Sequence, residues 1–210
     1  MPELAPKLAN PGPLGLAAFG VTTIVLSVLN AGFISHDAIA VVVPLAFAYG
    51  GLAQLIAGVL EFRTGNTFGM VAFSSYGAFW LWFAALQWTL GNGWLKATPA
   101  LPSGVALTLL VWGIFTFLMW IVTFRANKAV FSIFLLLWIT FFLLAAADFG
   151  HNTGHLGGIF GLLTGALALL VAFVEVLNAT AGRGCRWRVR RIRRGGRCCG
   201  RSRLRRAGRR

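Results

Sequence analysis

Residues 10–16 read Asn10-Pro11-Gly12-Pro13-Leu14-Gly15-Leu16 and stand at the entrance of the first long apolar run. Two prolines oppose a regular helical start, and two glycines let the backbone approach a neighbour closely or adopt positive φ. Irregular backbone at membrane depth is tolerated only where it is buried in protein or lines a water-filled cavity. The segment therefore predicts a polar cavity inside a bundle of membrane helices.

Apolar residues dominate the 210-residue chain: 58% are hydrophobic, 11% are charged, and the mean hydropathy is +0.77. An apolar run of about 20 residues crosses a hydrocarbon core about 30 Å thick as a helix. Six such runs occur, at approximately residues 14–34, 38–60, 68–88, 104–124, 129–147 and 155–177. They predict an all-α, multi-pass membrane protein with a short segment over residues 1–13, a six-helix domain over residues 14–178 and a tail over residues 179–210.

Excess positive charge is confined to the tail. Residues 1–182 hold five Lys and Arg against five Asp and Glu, whereas the other fourteen of the nineteen basic residues are arginines in residues 183–210. A solvated tail that attracts anionic lipid or nucleic acid without specificity is the first interpretation. GC-rich DNA read in a shifted frame produces a similar run, and this origin is the second. All three cysteines lie in the tail, so no disulfide is predicted in the bundle.

The Lys and Arg residues of the loops predict the orientation. When both termini are cytoplasmic, only Lys96 falls outside, which satisfies the positive-inside rule. The basic residues inside are then Lys7, Arg63, Arg125, Lys128 and those of the tail. The chain starts without the basic region of a secretory signal, so the first run is predicted to be a retained span.

Small residues in the spans predict close helix packing, and polar residues in the spans predict the lining of a pathway. Glycines repeat every three or four residues in the sixth span, which predicts close packing against another helix. Gln54 is hard to satisfy within its own helix, because a primary amide has several donors and acceptors. Ser74, Ser75 and Tyr76 place hydroxyl groups together in the third span. These polar residues are predicted to line a pathway, with hydrogen bonding between helices as the alternative.

Few charged residues lie near the spans. Glu61 is expected to pair with Arg63 at the inner boundary, and Glu175 to reach that boundary or to pair. His151 and His155 are four residues apart, as in some metal sites, but glycines interrupt the segment and no fourth ligand is apparent. A polar outer mouth, with His155 starting the sixth helix, is therefore predicted instead of a metal site. The candidates for a proton or charge role are Glu61, Asp148, His155 and Glu175.

Motifs of metalloproteases, nucleophile elbows, phosphate loops and dinucleotide-binding sites are missing. The sequence therefore predicts neither an enzyme nor a cofactor.

Five ordered stretches resemble the acetate uptake transporter family, the YaaH-like succinate–acetate permeases. They are residues 10–16, 49–62, 65–80, 112–116 and 175–178, and together they cover roughly residues 9 to 178. The arginine-rich tail departs from the family, whose members usually finish with a short polar tail.

The resemblance implies a homo-hexameric ring in the plasma (inner) membrane, in which each subunit has its own pathway for acetate and related short carboxylates. It also implies a hydrophobic constriction formed by Phe19, Tyr76 and Leu137. Backbone N–H groups beside Gly12 and Gly15 are expected to offer donors to a carboxylate. The expected substrate-binding residues are Asn10, Gly15, Gln54, Asn66, Thr67 and Ser75.

Three functions are compatible with these features: proton-coupled uptake of acetate with succinate as a second substrate, a passive channel for small anions or neutral weak acids, and a membrane scaffold. The scaffold leaves Gln54, Tyr76 and the Asn-Pro segment without a role. No single buried carboxylate stands out as a proton carrier, so the sequence does not separate uptake from a channel. The expected partners are carboxylates, protons, the lipid bilayer and further copies of the chain, with no specific nucleic acid.

Overall fold

The structure, a computed structural model, describes residues 8–181, and this part of the chain is all-helical. Six helices in it are long and apolar enough to cross a membrane: α1 (Gly12–Asn30), α2 (His36–Thr64), α3 (Thr67–Gly91), α4 (Leu101–Arg125), α5 (Lys128–Asp148) and α6 (Gly154–Thr180). The prediction of six spans is confirmed. Residues 1–7 and 182–210 lie outside the described residues, and the predictions on the arginine-rich tail and its cysteines fall there.

The observed helices differ from the predicted apolar runs by up to four residues at each end. Polar residues extend helices beyond their apolar stretches, because a side chain that accepts from a free backbone N–H caps the first turn. Asn66 accepts from the backbone N–H of Gly69 at 3.1 Å, and Asn127 accepts from that of Ala129 at 3.1 Å. These caps fix where α3 and α5 begin.

Helix α1 begins at Gly12, directly after Pro11, with a regular first turn. The carbonyl of Pro11 accepts from the N–H of Leu14 at 3.0 Å and from that of Gly15 at 3.3 Å. Pro13 lies in the first turn, where a backbone N–H has no partner inside the helix in any case. The prediction that the prolines disrupt the helical start is therefore wrong.

Helix α2 changes its winding midway. It consists of a 3-10 turn (His36–Ala38), an α-helical part (Ile39–Leu45), a π-helical part (Ala46–Ala53) and a second α-helical part (Gln54–Thr64). Pro44 stands just before the π-helical part, and its missing N–H interrupts the ladder of backbone hydrogen bonds. The apolar run over residues 38–60 predicts an ordinary span, and the change of winding is not apparent from it.

Helices α1 and α6 pack backbone to backbone. A Cβ on Gly165 would lie 2.9 Å from the carbonyl oxygen of Gly20, and one on Gly158 would collide with the backbone of Ala31. Only glycine permits this approach, so the packing role predicted for the glycines of the sixth span is confirmed. The first and last helices of the bundle are thereby direct neighbours.

Candidate functional site

Two cavities lie inside the bundle, one toward each end. The terminal cavity, of about 170 Å³, lies where α1 begins and α6 ends; the polar side chains in its lining, besides Tyr76, are Asn10, Gln54, Glu61, Asn66 and Glu175. The distal cavity, of about 480 Å³, lies at the opposite ends of the helices; the polar side chains in its lining, besides Tyr76, are Thr23, Ser27, Asn30, His36, Gln87, Thr140 and Asp148.

Phe19, Tyr76 and Leu137 stand between the two cavities. Within residues 8–181 they are the three residues shared by both linings. Each is buried, with 6% or less of its surface exposed, and the ring centroids of Phe19 and Tyr76 are 5.9 Å apart. The structure thus brings together the three residues that the family resemblance assigns to a constriction.

Aromatic rings and one hydrogen bond fix the side chain of Tyr76. Its hydroxyl donates to Thr116 Oγ1 at 2.9 Å, and Thr116 in turn donates to the carbonyl of Trp112 at 2.7 Å. The rings of Phe115 and Phe134 lie 5.9 and 6.0 Å from the Tyr76 ring, close enough for edge contacts. The hydroxyl proton of Tyr76 is committed to Thr116, so the ring presents mainly its apolar surface to the passage.

Glu61 and Glu175 meet in the terminal cavity at the start of α1. Glu61 is 2% exposed, and Thr64 Oγ1 donates to its Oε2 at 2.9 Å. Glu175 Oε2 accepts from Asn10 Nδ2 at 3.2 Å. The predicted surface pair of Glu61 with Arg63 is wrong, since Arg63 is exposed whereas Glu61 points into the bundle. The expectation that no buried carboxylate stands out is overturned with it.

Gln54 is the most enclosed polar side chain of the terminal cavity. It is 1% exposed, and its Oε1 has no hydrogen-bond partner within the described residues. Gln54 and Glu61 are seven residues apart, two helical turns, so they lie on the same face of α2. This spacing is the signal that could have identified Glu61 as an inward-facing residue.

Gly15, Thr67 and Ser75 line neither cavity, in contrast to their predicted role in substrate binding. The backbone N–H of Gly15 is bonded to Pro11, and a Cβ at Gly15 would lie 2.6 Å from the ring of Phe73. Thr67 is exposed at the start of α3. Ser75 precedes Tyr76, and one residue along a helix turns the side chain by about 100° away from the passage.

Backbone N–H groups at the start of α1 are also not available as donors. The N–H of Gly12 donates to Asn10 Oδ1 at 3.0 Å, and that of Gly15 donates to the Pro11 carbonyl. The expectation that these groups bind a carboxylate is therefore wrong. Of the predicted substrate-binding residues, the side chains of Asn10, Gln54 and Asn66 reach the terminal cavity.

The distal end of the bundle differs in one residue from the polar mouth that the sequence predicts. Asp148 lines the distal cavity together with His36. His155 is not part of that lining: its Nδ1 lies 3.0 Å from the carbonyl oxygen of Ala31, and a Cβ on Gly32 would touch its ring. His155 thus fastens α6 to the end of α1. Helix α6 begins at Gly154, one residue earlier than expected.

Thr23 is a lining residue that sequence reasoning missed. It belongs to the distal cavity, is 7% exposed, and its Oγ1 has no hydrogen-bond partner within the described residues. Most buried threonines bond back to the carbonyl four residues earlier, as Thr22 does to Ala18 at 2.9 Å. No sequence signal separates these two neighbouring threonines.

Six helices of alternating direction around two cavities in line define a multi-pass membrane protein with an internal pathway. Residues 1–182 match the model of the GPR1/FUN34/yaaH family, and the chain belongs to this family.

Relatives and a solved structure agree with this assignment. The chain is 42% identical over 179 residues to the succinate-acetate/proton symporter SatP of Escherichia coli K12, covering 84% of this chain and 93% of that protein. It is 42% identical over 196 residues to acetate permease A of Emericella nidulans, covering 85% of this chain and 62% of the permease. The solved structure of the bacterial acetate channel SatP matches with a TM-score of 0.79 at 40% identity, covering 84% of this chain and 97% of that one.

Proposed function

We propose that this protein carries acetate and related short carboxylates, succinate among them, across the plasma (inner) membrane by proton-coupled uptake. The observation that carries the proposal is the coincidence of three residues: Phe19, Tyr76 and Leu137 are common to two cavities at opposite ends of one bundle, and each cavity also has polar side chains in its lining. The relatives named above, a succinate-acetate/proton symporter, an acetate permease and an acetate channel, support the substrate class. This role involves transport and no enzymatic reaction.

The apolar constriction selects by size and by charge. Its three side chains suit the methyl group of acetate, because apolar surface is stabilised against apolar surface. A doubly charged succinate loses more hydration than a monocarboxylate on entering such a site, and this loss is costly. On the terminal side, the amides of Asn10, Gln54 and Asn66 would receive the carboxyl group.

A passive channel is the second candidate function. The observation that favours it is that the side chains of Phe19, Tyr76 and Leu137 belong to both linings, so movement of Phe19 or Leu137 would be enough to open a gate between the cavities. A channel gate needs no larger rearrangement.

Acetate flux into proteoliposomes under an imposed pH gradient tests the proposal. Protein-free vesicles give the baseline, since acetic acid itself crosses lipid. Accumulation against the acetate gradient above that baseline supports symport, whereas dissipation alone at every gradient supports the channel. Flux equal to the baseline would contradict both.

We also propose cytoplasmic termini, a homo-hexamer and a dispensable tail. The hydrogen bond of Asn10 to Glu175 supports termini on the same side, and the hexamer follows from the family resemblance. Cysteines introduced at position 96 are expected to react from outside, and those at positions 63 and 128 from inside.

Native mass spectrometry should find six chains. A chain cut after Gly182 keeps residues 14–178, the proposed transport domain, and should retain full flux.

A further inference from the structure

We propose that Glu61 and Glu175 together hold the proton that accompanies a carboxylate substrate, and that the proton is exchanged with the substrate in the terminal cavity. This inference rests on the proposed transport function and names the group that couples it to protons.

The two carboxyl groups meet at Gly12, the first residue of α1. A Cβ built on Gly12 would lie 3.3 Å from Glu175 Oε2 and 3.4 Å from Glu61 Oε1. Because both oxygens lie this close to the same Cβ position, the distance between them cannot exceed the sum of these two distances. Two ionised carboxylates repel each other at such a separation in a buried site, and one proton bound to either of them removes the repulsion.

Neutral groups surround the pair. Thr64 from α2 donates to Glu61 Oε2, and Asn10 donates to Glu175 Oε2. Asn66, which caps α3, and Gly69 of α3 reach the same cavity, and the α5 side of the lining is apolar. Within residues 8–181 the lining contains two acidic side chains and no basic one. Each carboxyl group has one oxygen that accepts from a neutral donor, and no described residue donates to Glu61 Oε1, which can bind or release a proton.

Gln54 gives an independent indication of what enters this cavity. Its buried Oε1 is an acceptor for which residues 8–181 supply no donor, and a buried acceptor of this kind is costly when it stays unpaired. A carboxylate anion has no proton to offer to it, whereas the O–H of a neutral carboxylic acid does. The unpaired amide oxygen thus fits the protonated substrate.

The exchange itself is balanced. The O–H bond of the carboxyl pair breaks, an O–H bond forms on acetate, and acetic acid leaves for the constriction while the pair is left with one further negative charge. The reverse transfer occurs when acetic acid arrives through the constriction. One acetate moves with one proton, so the transport step carries no net charge.

Charge movement tests this inference. Acetate uptake is measured in proteoliposomes under a membrane potential set by potassium and valinomycin, with protein-free vesicles subtracted. Uptake by the unmodified protein is expected to be insensitive to the potential. Glu61→Gln and Glu175→Gln cannot hold the proton, so their acetate uptake should follow the potential, by up to about tenfold for 59 mV, as for a singly charged anion. Asp37→Asn is the matched control, since Asp37 is exposed and bonded to Ser35, and its uptake should stay insensitive.

Each of the other possible outcomes contradicts the carboxyl pair, the proton coupling or the transport function. Inserted Gln variants whose uptake stays insensitive to the potential would overturn the carboxyl pair and leave the transport function standing. Inserted variants without any flux would also overturn it, because the amide is expected to pass the anion. Unmodified protein whose uptake follows the potential would refute the coupling. Unmodified protein without flux above the protein-free baseline would refute the transport function itself.

A measurement on the unmodified protein covers the case in which neither variant inserts. Infrared difference spectra should show a protonated side-chain carboxyl band that changes when acetate is added. A spectrum without such a band at any acetate concentration would overturn the proposal.

Discussion

The two cavities differ in size and in chemistry. The distal cavity measures about 480 Å³ and is lined by hydroxyl groups, two amides, His36 and Asp148. The terminal cavity measures about 170 Å³ and holds two glutamates and three amides. A wide and weakly charged space suits the collection of a substrate from solution, whereas a small acid-lined space suits an exchange of protons. Under the proposed transport function, the difference gives separate tasks to the two sides of the constriction formed by Phe19, Tyr76 and Leu137.

Removal of the ring should abolish the distinction between the cavities and has the largest expected effect. Phe19→Ala, Tyr76→Ala and Leu137→Ala should each lower the free energy of unfolding by about 2–5 kcal/mol. Each should also raise the flux of lactate or succinate relative to acetate, by about tenfold for every 1.4 kcal/mol removed from the barrier. Competition between labelled substrates in proteoliposomes measures this ratio.

Leu29→Ala is the matched control for the ring. Leu29 is equally buried and lines neither cavity, so its loss should destabilise the bundle without a change of selectivity. Three folded ring variants with unchanged selectivity would show that the constriction lies elsewhere.

Gln54→Leu should separate stability from transport in the terminal cavity. The change removes an unpaired buried acceptor, so the bundle should become more stable by about 1–3 kcal/mol. Acetate flux should fall, because the receiving group is lost. Thermal unfolding in detergent and flux at limiting acetate measure the two effects. A Gln54→Leu variant with lower stability and normal flux would assign Gln54 to packing. Thr164→Val controls for the loss of a buried polar group, because Thr164 is buried and lies outside both linings.

Gly12→Ala should disturb the terminal cavity alone. Its Cβ would stand 3.1 Å from Asn10 Oδ1 and 3.3 Å from Glu175 Oε2, so these side chains must shift by a few tenths of an ångström. We expect a several-fold loss of acetate flux, of the order of 1 kcal/mol. Gly104→Ala in α4 is the matched control, since nothing lies within 4 Å of its Cβ, and it should stabilise the helix by about 0.5–1 kcal/mol. Equal flux in both variants would argue against a tightly packed carboxyl pair.

Tyr76→Phe should have the smallest effect. It keeps the aromatic ring of the side chain and removes only the hydrogen bond from the hydroxyl to Thr116, which is worth about 1 kcal/mol. Thr116 keeps its bond to the carbonyl of Trp112, so no buried donor is left unpaired. Acetate affinity should fall slightly while selection by size is retained, as measured by the same competition assay. A gain in succinate flux in this variant would mean that the hydroxyl of Tyr76, and not its aromatic ring, determines the width of the passage.

The helices were predictable because each one is marked by residues that are close together in the sequence. Apolar runs of membrane-spanning length marked all six, and repeated glycines marked the packing face of α6. The π-helical part of α2 was missed, because its cause, Pro44, lies in a run whose composition is that of any other span.

The candidate site was only partly predictable. Gln54 was identified because its amide cannot be satisfied locally, and the ring followed from the family resemblance. The carboxyl pair was missed because Glu61 and Glu175 are far apart in the sequence and meet only when α2 and α6 both pack against the start of α1. Their neighbours were misleading as well: Arg63 offered Glu61 an obvious partner, although the two residues lie on different faces of α2.

The contact between α1 and α6 also fixes when the protein can be completed during synthesis. The glycine face of α6 approaches the backbone of α1 at Gly20 and Ala31, yet α6 leaves the ribosome last. Until then α1 lacks the neighbour that covers it, and Glu175 has not reached the start of α1. The terminal cavity is therefore assembled only once α6 has been inserted, and a nascent chain that ends after α5 contains Phe19, Tyr76 and Leu137 but lacks Glu175 from the lining of this cavity.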